Sequence, residues 1–321
     1  MASRFLRNLL VPNYIPLTDE VRTFDLPINP LSIILLMIRP LNDTGVLSNY
    51  ARYRSICAAM NRVTVARNGQ NVISMKGEDI AAFNWLRWGM QPWEANPDNV
   101  DNERRAVCLP IPMGRYPFHP TSCFPATKRG ELTLELDVDI ADTGYDGLQM
   151  TIETIELLDA KPKEFEKRTQ LALTWPATGT NDMELPMGNL VRGILLFGTT
   201  GFAGAAPAPS WGRVKCLLDN VEAGFSNTDW ECLFADGALW GRQPNLGDHR
   251  HTVNAAGAGV EETTSVFDVQ EDFTNYAFMD FDPTGDDLYA LDTSKANSFK
   301  LRAEAETADA VRAVVIESMK A

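Results

Sequence analysis

Apolar and polar residues alternate without a break from Leu132 to Ile140, in the order Leu-Thr-Leu-Glu-Leu-Asp-Val-Asp-Ile. A period of two predicts a strand with one face in a core and the other in water. The turn residues Asp142-Thr143-Gly144 separate it from a second strand, Met150 to Leu157, whose alternation slips at Thr154. Phe299, Leu301, Ala303 and Ala305 alternate in the same way, Val311 to Ile316 predicts a further strand, and Ile33 to Ile38 is the longest purely apolar run. Arg62 to Arg67 predicts a strand running into an Asn68-Gly69 turn. Helical signals are few and short. Thr228-Asp229-Trp230-Glu231 has the form of a capping box, and Glu78 and Asp79 suit the positive end of an earlier helix. Phe5, Leu6, Leu9 and Leu10 fall at helical spacing with Arg4 and Arg7 on the other side, so a short amphipathic helix is expected before Pro12.

These elements occur twice. Phe24-Asp25-Leu26-Pro27 with Leu31 returns as Met183-Glu184-Leu185-Pro186 with Leu190, 159 residues on. Trp88-Gly89-Met90-Gln91-Pro92 returns as Trp240-Gly241-Arg242-Gln243-Pro244, 152 residues on. Ala126-Thr127-Lys128 and the strand after it correspond loosely to Thr293-Ser294-Lys295 and the alternation from Phe299. The order is kept while the offsets vary, as expected of a duplicated domain whose loops differ in length. In 321 residues this predicts two units of ordinary domain size. The charged stretch from Asp159 to Gln170 fits a linker between them, giving an arm over 1–20, first unit 21–158, linker 159–170 and second unit 171–321. Each Leu-Pro pair (Leu26, Pro27; Leu185, Pro186) is expected to open its unit's first strand. Gly89 and Gly241 read as helix terminators, with Trp88 and Trp240 as core anchors rather than stacking platforms for sugars. Long loops are expected over 91–105, 110–125, 198–210 and 245–262.

Composition narrows the function. A formal charge of −14 speaks against a broad nucleic-acid surface, which needs clustered Lys and Arg, so no sequence-specific nucleic-acid binding is expected. The five cysteines lack C-x-x-C spacing and read as thiols in a reducing compartment. No apolar run approaches the roughly 20 residues of a spanning helix, and Arg7 and Asn8 interrupt what a signal peptide would need. His249-Arg250-His251 could place two imidazoles on one strand face, but no acid follows within 253–260 and no later histidine completes a metal site. The carboxylates Glu135, Asp137, Asp139, Glu153 and Glu156 fall on the expected solvated faces. Nucleotide-binding and nucleophile-elbow motifs are absent from the sequence. No cofactor, metal or catalytic residue is expected, and the chain is not read as an enzyme.

Two β-rich units of matched order, short helices between strands and long decorating loops resemble the double jelly-roll major capsid proteins. These build the shells of tailless icosahedral viruses, including membrane-containing bacteriophages. The resemblance rests on the N-terminal arm, the paired Leu-Pro segments, the Arg62 to Gly69 hairpin and above all the duplication. It implies an all-β fold of two tandem eight-stranded jelly-roll barrels with a few short helices. It further implies a pseudo-hexagonal homotrimer that tiles a virion shell and meets neighbouring capsomers and other virion proteins, with assembly in the host cytoplasm. The arm would face inward, toward an internal membrane where one exists, and Arg4, Phe5, Arg7 and Leu9 suit that contact. Removal of residues 1–12 is then expected to leave trimers intact. A minor spike or vertex component and a secreted two-domain glycan-binding or glycan-cleaving protein are the alternatives.

Overall fold

The computed structural model describes residues 4–16, 18–42, 53–90, 93–95, 104–140, 145–199, 209–240, 251–253, 259–261 and 273–321. In the first half, β1 (Phe5–Tyr14), β2 (Glu20–Asp25) and β3 (Leu31–Asn42) precede helix α1 (Tyr53–Ala58). The hairpin β4 (Met60–Arg67) and β5 (Gln70–Met75) leads into α2 (Gly77–Trp88), followed by β6 (Trp93–Ala95), β7 (Ala106–Pro112), β8 (Leu132–Val138) and β9 (Tyr145–Leu157). The second half runs β10 (Glu164–Thr174), β11 (Gly179–Glu184), β12 (Leu190–Gly198), β13 (Arg213–Leu218), β14 (Val221–Glu222) and β15 (Thr228–Asp229). After α3 (Trp230–Trp240) come β16 (His251–Val253), β17 (Gly259–Glu261), β18 (Tyr276–Asp280), β19 (Leu291–Asp292), β20 (Phe299–Ala305) and β21 (Ala310–Lys320).

Each half forms two facing antiparallel sheets. In the first they are β1-β9-β3-β7-β6 and β5-β4-β8-β2; in the second, β18-β12-β21-β10 and β11-β20-β13-β14. Register makes the duplication exact at the level of residues. Leu31 pairs with Glu156 and Met37 with Thr151 in the first half, as Val191 pairs with Glu317 and Phe197 with Arg312 in the second, with a bulge after the first residue of each series. Arg7 opposite Ile155 likewise corresponds to Arg168 opposite Ile316. The Asn68-Gly69 turn takes left-handed backbone at both residues (φ 50° and 78°), the geometry of a tight hairpin between right-twisted strands.

Several expectations need correction. Residues 5–14 form an edge strand against β9, not a helix. Their apolar residues satisfy either period, and so short a helix cannot support itself, whereas the edge of β9 offers a ready ladder; bulges after Leu9 and Val11 accommodate Pro12. Removing residues 1–12 would therefore strip a strand from the sheet. The stretch read as a linker is largely β10, central in its sheet between β21 and β5. Leu26-Pro27 and Leu185-Pro186 do not open the barrels. They end the second strand of each, where Leu26 and Leu185 are buried and donate their N–H groups to Leu132 and Phe299 carbonyls (2.9 and 2.8 Å). Thr228 pairs with Val214 in β15, and α3 begins only at Trp230. Glu156 is buried rather than solvated, taking a 2.7 Å hydrogen bond from Asn29, as Glu317 does from Asn189.

Candidate assembly surface and the seam between the barrels

The two barrels meet along a seam that begins with the backbone. β5 of the first half runs parallel to β10 of the second, with Arg168 opposite Ile73 and Thr169 opposite Ser74. This joins one sheet of each barrel into a continuous nine-stranded sheet. The Lys76 N–H donates to the Gln170 side chain at 3.0 Å, closing the end of that pairing.

Side chains then cover the outer face of the second barrel. Along β12, β18 and β21, alternate residues belong to different cores: Ile194, Leu196, Ala277, Met279, Ala313 and Val315 fill the second barrel. Their neighbours Leu195, Phe197, Tyr276, Phe278, Val314 and Ile316 are buried in the first barrel's cluster, against α2. Phe83 of α2 meets Phe278 edge-on at 6.0 Å, and Trp85 stacks on Phe273 at 5.5 Å. Helix α2 ends at Gly89, whose left-handed backbone (φ 61°, ψ 26°) lets its N–H reach the Trp85 carbonyl. Trp88, half-buried, donates its indole N–H to the Arg115 carbonyl at 2.8 Å and packs edge-on against Phe83.

Buried charges cross the same seam. Arg168 is fully buried, donates to Glu166 at 3.1 Å, and lies 4.5 Å from the Phe83 ring centroid and 5.4 Å from that of Trp88. Arg87 of α2 pairs with the same Glu166 at 2.9 Å. Burial pushes the Glu166 carboxyl up, but the guanidiniums of Arg87, Arg168 and Arg192 reverse this and hold it below the usual range. Burial, partly offset by Glu166, brings Arg168 down to about 10. Further along, Arg312 of β21 reaches Asp79 and Glu78 of α2, each at 2.7 Å, and Tyr276 donates to Asp79 at 2.8 Å. Burial outweighs these partners and holds the Asp79 carboxyl above its ordinary value. At one end of the seam Arg115 of the first half engages Asp282, Asp287 and the Gly285 carbonyl of the second. Arg192 converges on Asp287 and Glu164 there.

The residues singled out in the sequence lie elsewhere. Arg4 pairs with Asp159 at 3.0 Å, and Phe5, 62% exposed, meets Phe118 edge-on at 5.6 Å. Arg7 donates to Glu153, and Leu9 is 52% exposed on the same edge strand. Trp240 is the last residue of α3; Gly241 and the rest of that Trp-Gly-x-Gln-Pro segment, and likewise His249, lie outside the described residues. Short strands β6, β16 and β17 fall within the expected loops 91–105 and 245–262. Among the described residues no cluster of His, Cys, Asp or Glu could hold a metal ion, and no helix is long and apolar enough to cross a bilayer. The seam arginines and their acids escaped sequence reading because most pairs, such as Arg87 with Glu166 and Arg312 with Asp79, are far apart in the chain, and Arg168 with Glu166 two residues before it looks like an ordinary solvated strand face. Their only sequence signal is the correspondence of Arg168 with Arg7, visible once β1 and β10 are recognised as strands.

No protein-family model matches the sequence, and no curated protein matches it. Solved structures do match over nearly the whole chain. The crystal structure of the STIV MCP has a TM-score of 0.65 at 11% identity, covering 99% of this chain and 97% of that one. The major capsid protein P2 from Bacteriophage PM2 has a TM-score of 0.62 at 13% identity, covering 98% and 97%. The PBCV-1 virus capsid has 0.65 at 9% identity, covering 99% and 94%. At such identities the likeness speaks for the fold. The chain has the double jelly-roll fold of these viral major capsid proteins.

Proposed function

We propose that this chain is a major capsid protein of a tailless icosahedral virus, three copies forming a pseudo-hexagonal capsomer that tiles the virion shell. The observation that carries this reading is the pair of equivalent barrels fused side by side, in a fold shared along nearly the full length with STIV, PM2 and PBCV-1 capsid proteins. Duplicated barrels supply six similar units from three chains, which is what a threefold block needs to pack like a hexagon. The role is structural rather than enzymatic, with other capsomers and virion proteins as partners and assembly in the host cytoplasm.

An inward-facing end is supported by exposed apolar side chains. Phe5, Ile28, Tyr116, Phe118, Leu158, Met187, Leu288 and Tyr289 are all exposed. They lie at one end of both barrels, where Phe5 opposes Leu157, Ile33 opposes Pro112 and Leu190 opposes Asp292. With Arg4 beside Phe5, this end suits an internal membrane. Expression of the chain with electron microscopy and sedimentation tests the main reading. Trimers of three times 35.6 kDa and shell-like particles are expected; a stable monomer that binds or cleaves oligosaccharide would overturn it.

A further inference from the structure

The seam inside the chain is a heterologous contact, in which one barrel offers an edge and a helix while the next offers an edge and a sheet face. The chain carries the unmatched halves of a second such contact. β10 and β5, which pair within the chain, correspond to β1 by register and to β14 by its place after the hairpin turn; β1 is the last strand of its sheet, and β14 shares the outer side of β13 with β15. The outer face buried under α2 on the second barrel has its equivalent on the first: Leu195, Phe197, Tyr276 and Phe278 correspond to Leu35, Met37, Cys108 and Pro110. Those four first-barrel residues are only partly buried, and Leu9 and Arg7 beside them stand open. The equivalent of α2 is α3, whose Glu231 takes the place of Asp79 by the spacing from Trp240 and Trp88 and is exposed.

Charge is complementary as well. Asp79 is held by Arg312, and Thr151 takes the Arg312 position in the first barrel. Arg39 donates to the Thr151 hydroxyl at 2.8 Å, so a guanidinium again stands where the helix acid would arrive. We propose that β14 and α3 of one copy dock on the β1 edge and the outer β1-β9-β3-β7 face of a second copy, with Glu231 meeting Arg39. This rests on the capsomer reading and names its interface. A heterologous contact repeated between identical chains closes into a ring when its rotation closes. It extends the intramolecular seam, and the six barrels then share one kind of junction.

Charge exchange tests the pairing on the full chain by sedimentation. Glu231→Arg and Arg39→Glu should each weaken self-association about a hundredfold, because like charges meet in the contact, and the double variant should recover most of it. Leu9→Glu, at an exposed position that the monomer fold does not need, should also dissociate the assembly while leaving the circular dichroism spectrum unchanged. If Leu9→Glu associates like the unmodified chain, or if the double exchange fails to recover association that Leu9→Glu and each single exchange abolish, the interface lies elsewhere and the inference fails. Particles and trimers from the unmodified chain in that same experiment would leave the capsid reading standing. An unmodified chain that stays monomeric at high concentration would bring down both.

Discussion

Arg7 and Arg168 occupy equivalent positions in the first strands of the two barrels, each opposite an isoleucine of the last strand. Arg168 is fully buried between an acid and two aromatic rings, while the Arg7 side chain is 60% exposed and paired with Glu153. The same local sequence role therefore carries opposite energetic weight. Arg168→Ala leaves Glu166 short of a partner in a dry seam and should cost about 3–5 kcal/mol, whereas Arg7→Ala should cost about 0–1 kcal/mol in the isolated chain. Urea denaturation of both variants checks the contrast; similar costs would contradict it.

Acid should weaken the seam through Glu166. Its folded-state carboxyl sits below the ordinary 4.5, so its stabilising contribution is fully present above that value and is lost as pH falls through the folded value. The stability gap between the unmodified chain and Glu166→Gln should be widest near neutrality and shrink below about pH 4.5. A gap that stays constant from pH 7 to pH 3 would remove Glu166 from this role.

Trp85 is fully buried where α2 meets Phe273 and Phe234. Trp85→Ala should cost about 3–5 kcal/mol by opening a cavity in the seam. Because that seam couples the barrels, the variant should also separate one calorimetric transition into two. A single, barely shifted peak would count against it.

Gly77 opens α2 directly against the end of α1. A Cβ there would lie 2.2 Å from the Cys57 carbonyl oxygen and 2.7 Å from Met60 Cβ, so backbone rather than a flexible side chain would have to move. Gly77→Ala should destabilise by about 1–3 kcal/mol despite raising helix propensity. Thermal unfolding of this variant beside Gly147→Ala, a strand glycine whose added Cβ meets nothing, separates crowding from the general effect of replacing a glycine by alanine.

Much of the fold was legible in the chain. Leu132 to Val138 and Phe299 to Ala305 carry the alternation that a half-buried strand imposes, and they are β8 and β20. The repeated Leu-Pro and Trp-Gly segments marked the duplication, because equivalent turns and helix ends impose equivalent backbone geometry. The first strand of each barrel was missed for two different reasons. β1 is an edge strand with both faces largely open, so no burial enforces a period of two on Phe5 to Tyr14. β10 hides behind Lys-Arg-Glu residues that look solvated, yet Glu166 and Arg168 are buried because α2 of the other barrel lays Arg87 on Glu166 and the Phe83 and Trp88 rings on Arg168.

What the sequence by itself determined is thus everything enforced locally: strand alternation, turns, helix stops and the order of two copies. What only the tertiary structure decided is which of two equivalent surfaces is covered. Leu195 and Phe197 are core and Leu35 and Met37 are only partly buried, although the two pairs hold matching places in matching strands. Burial depends on what lies opposite, and α2 lies opposite only one of those faces within a single chain.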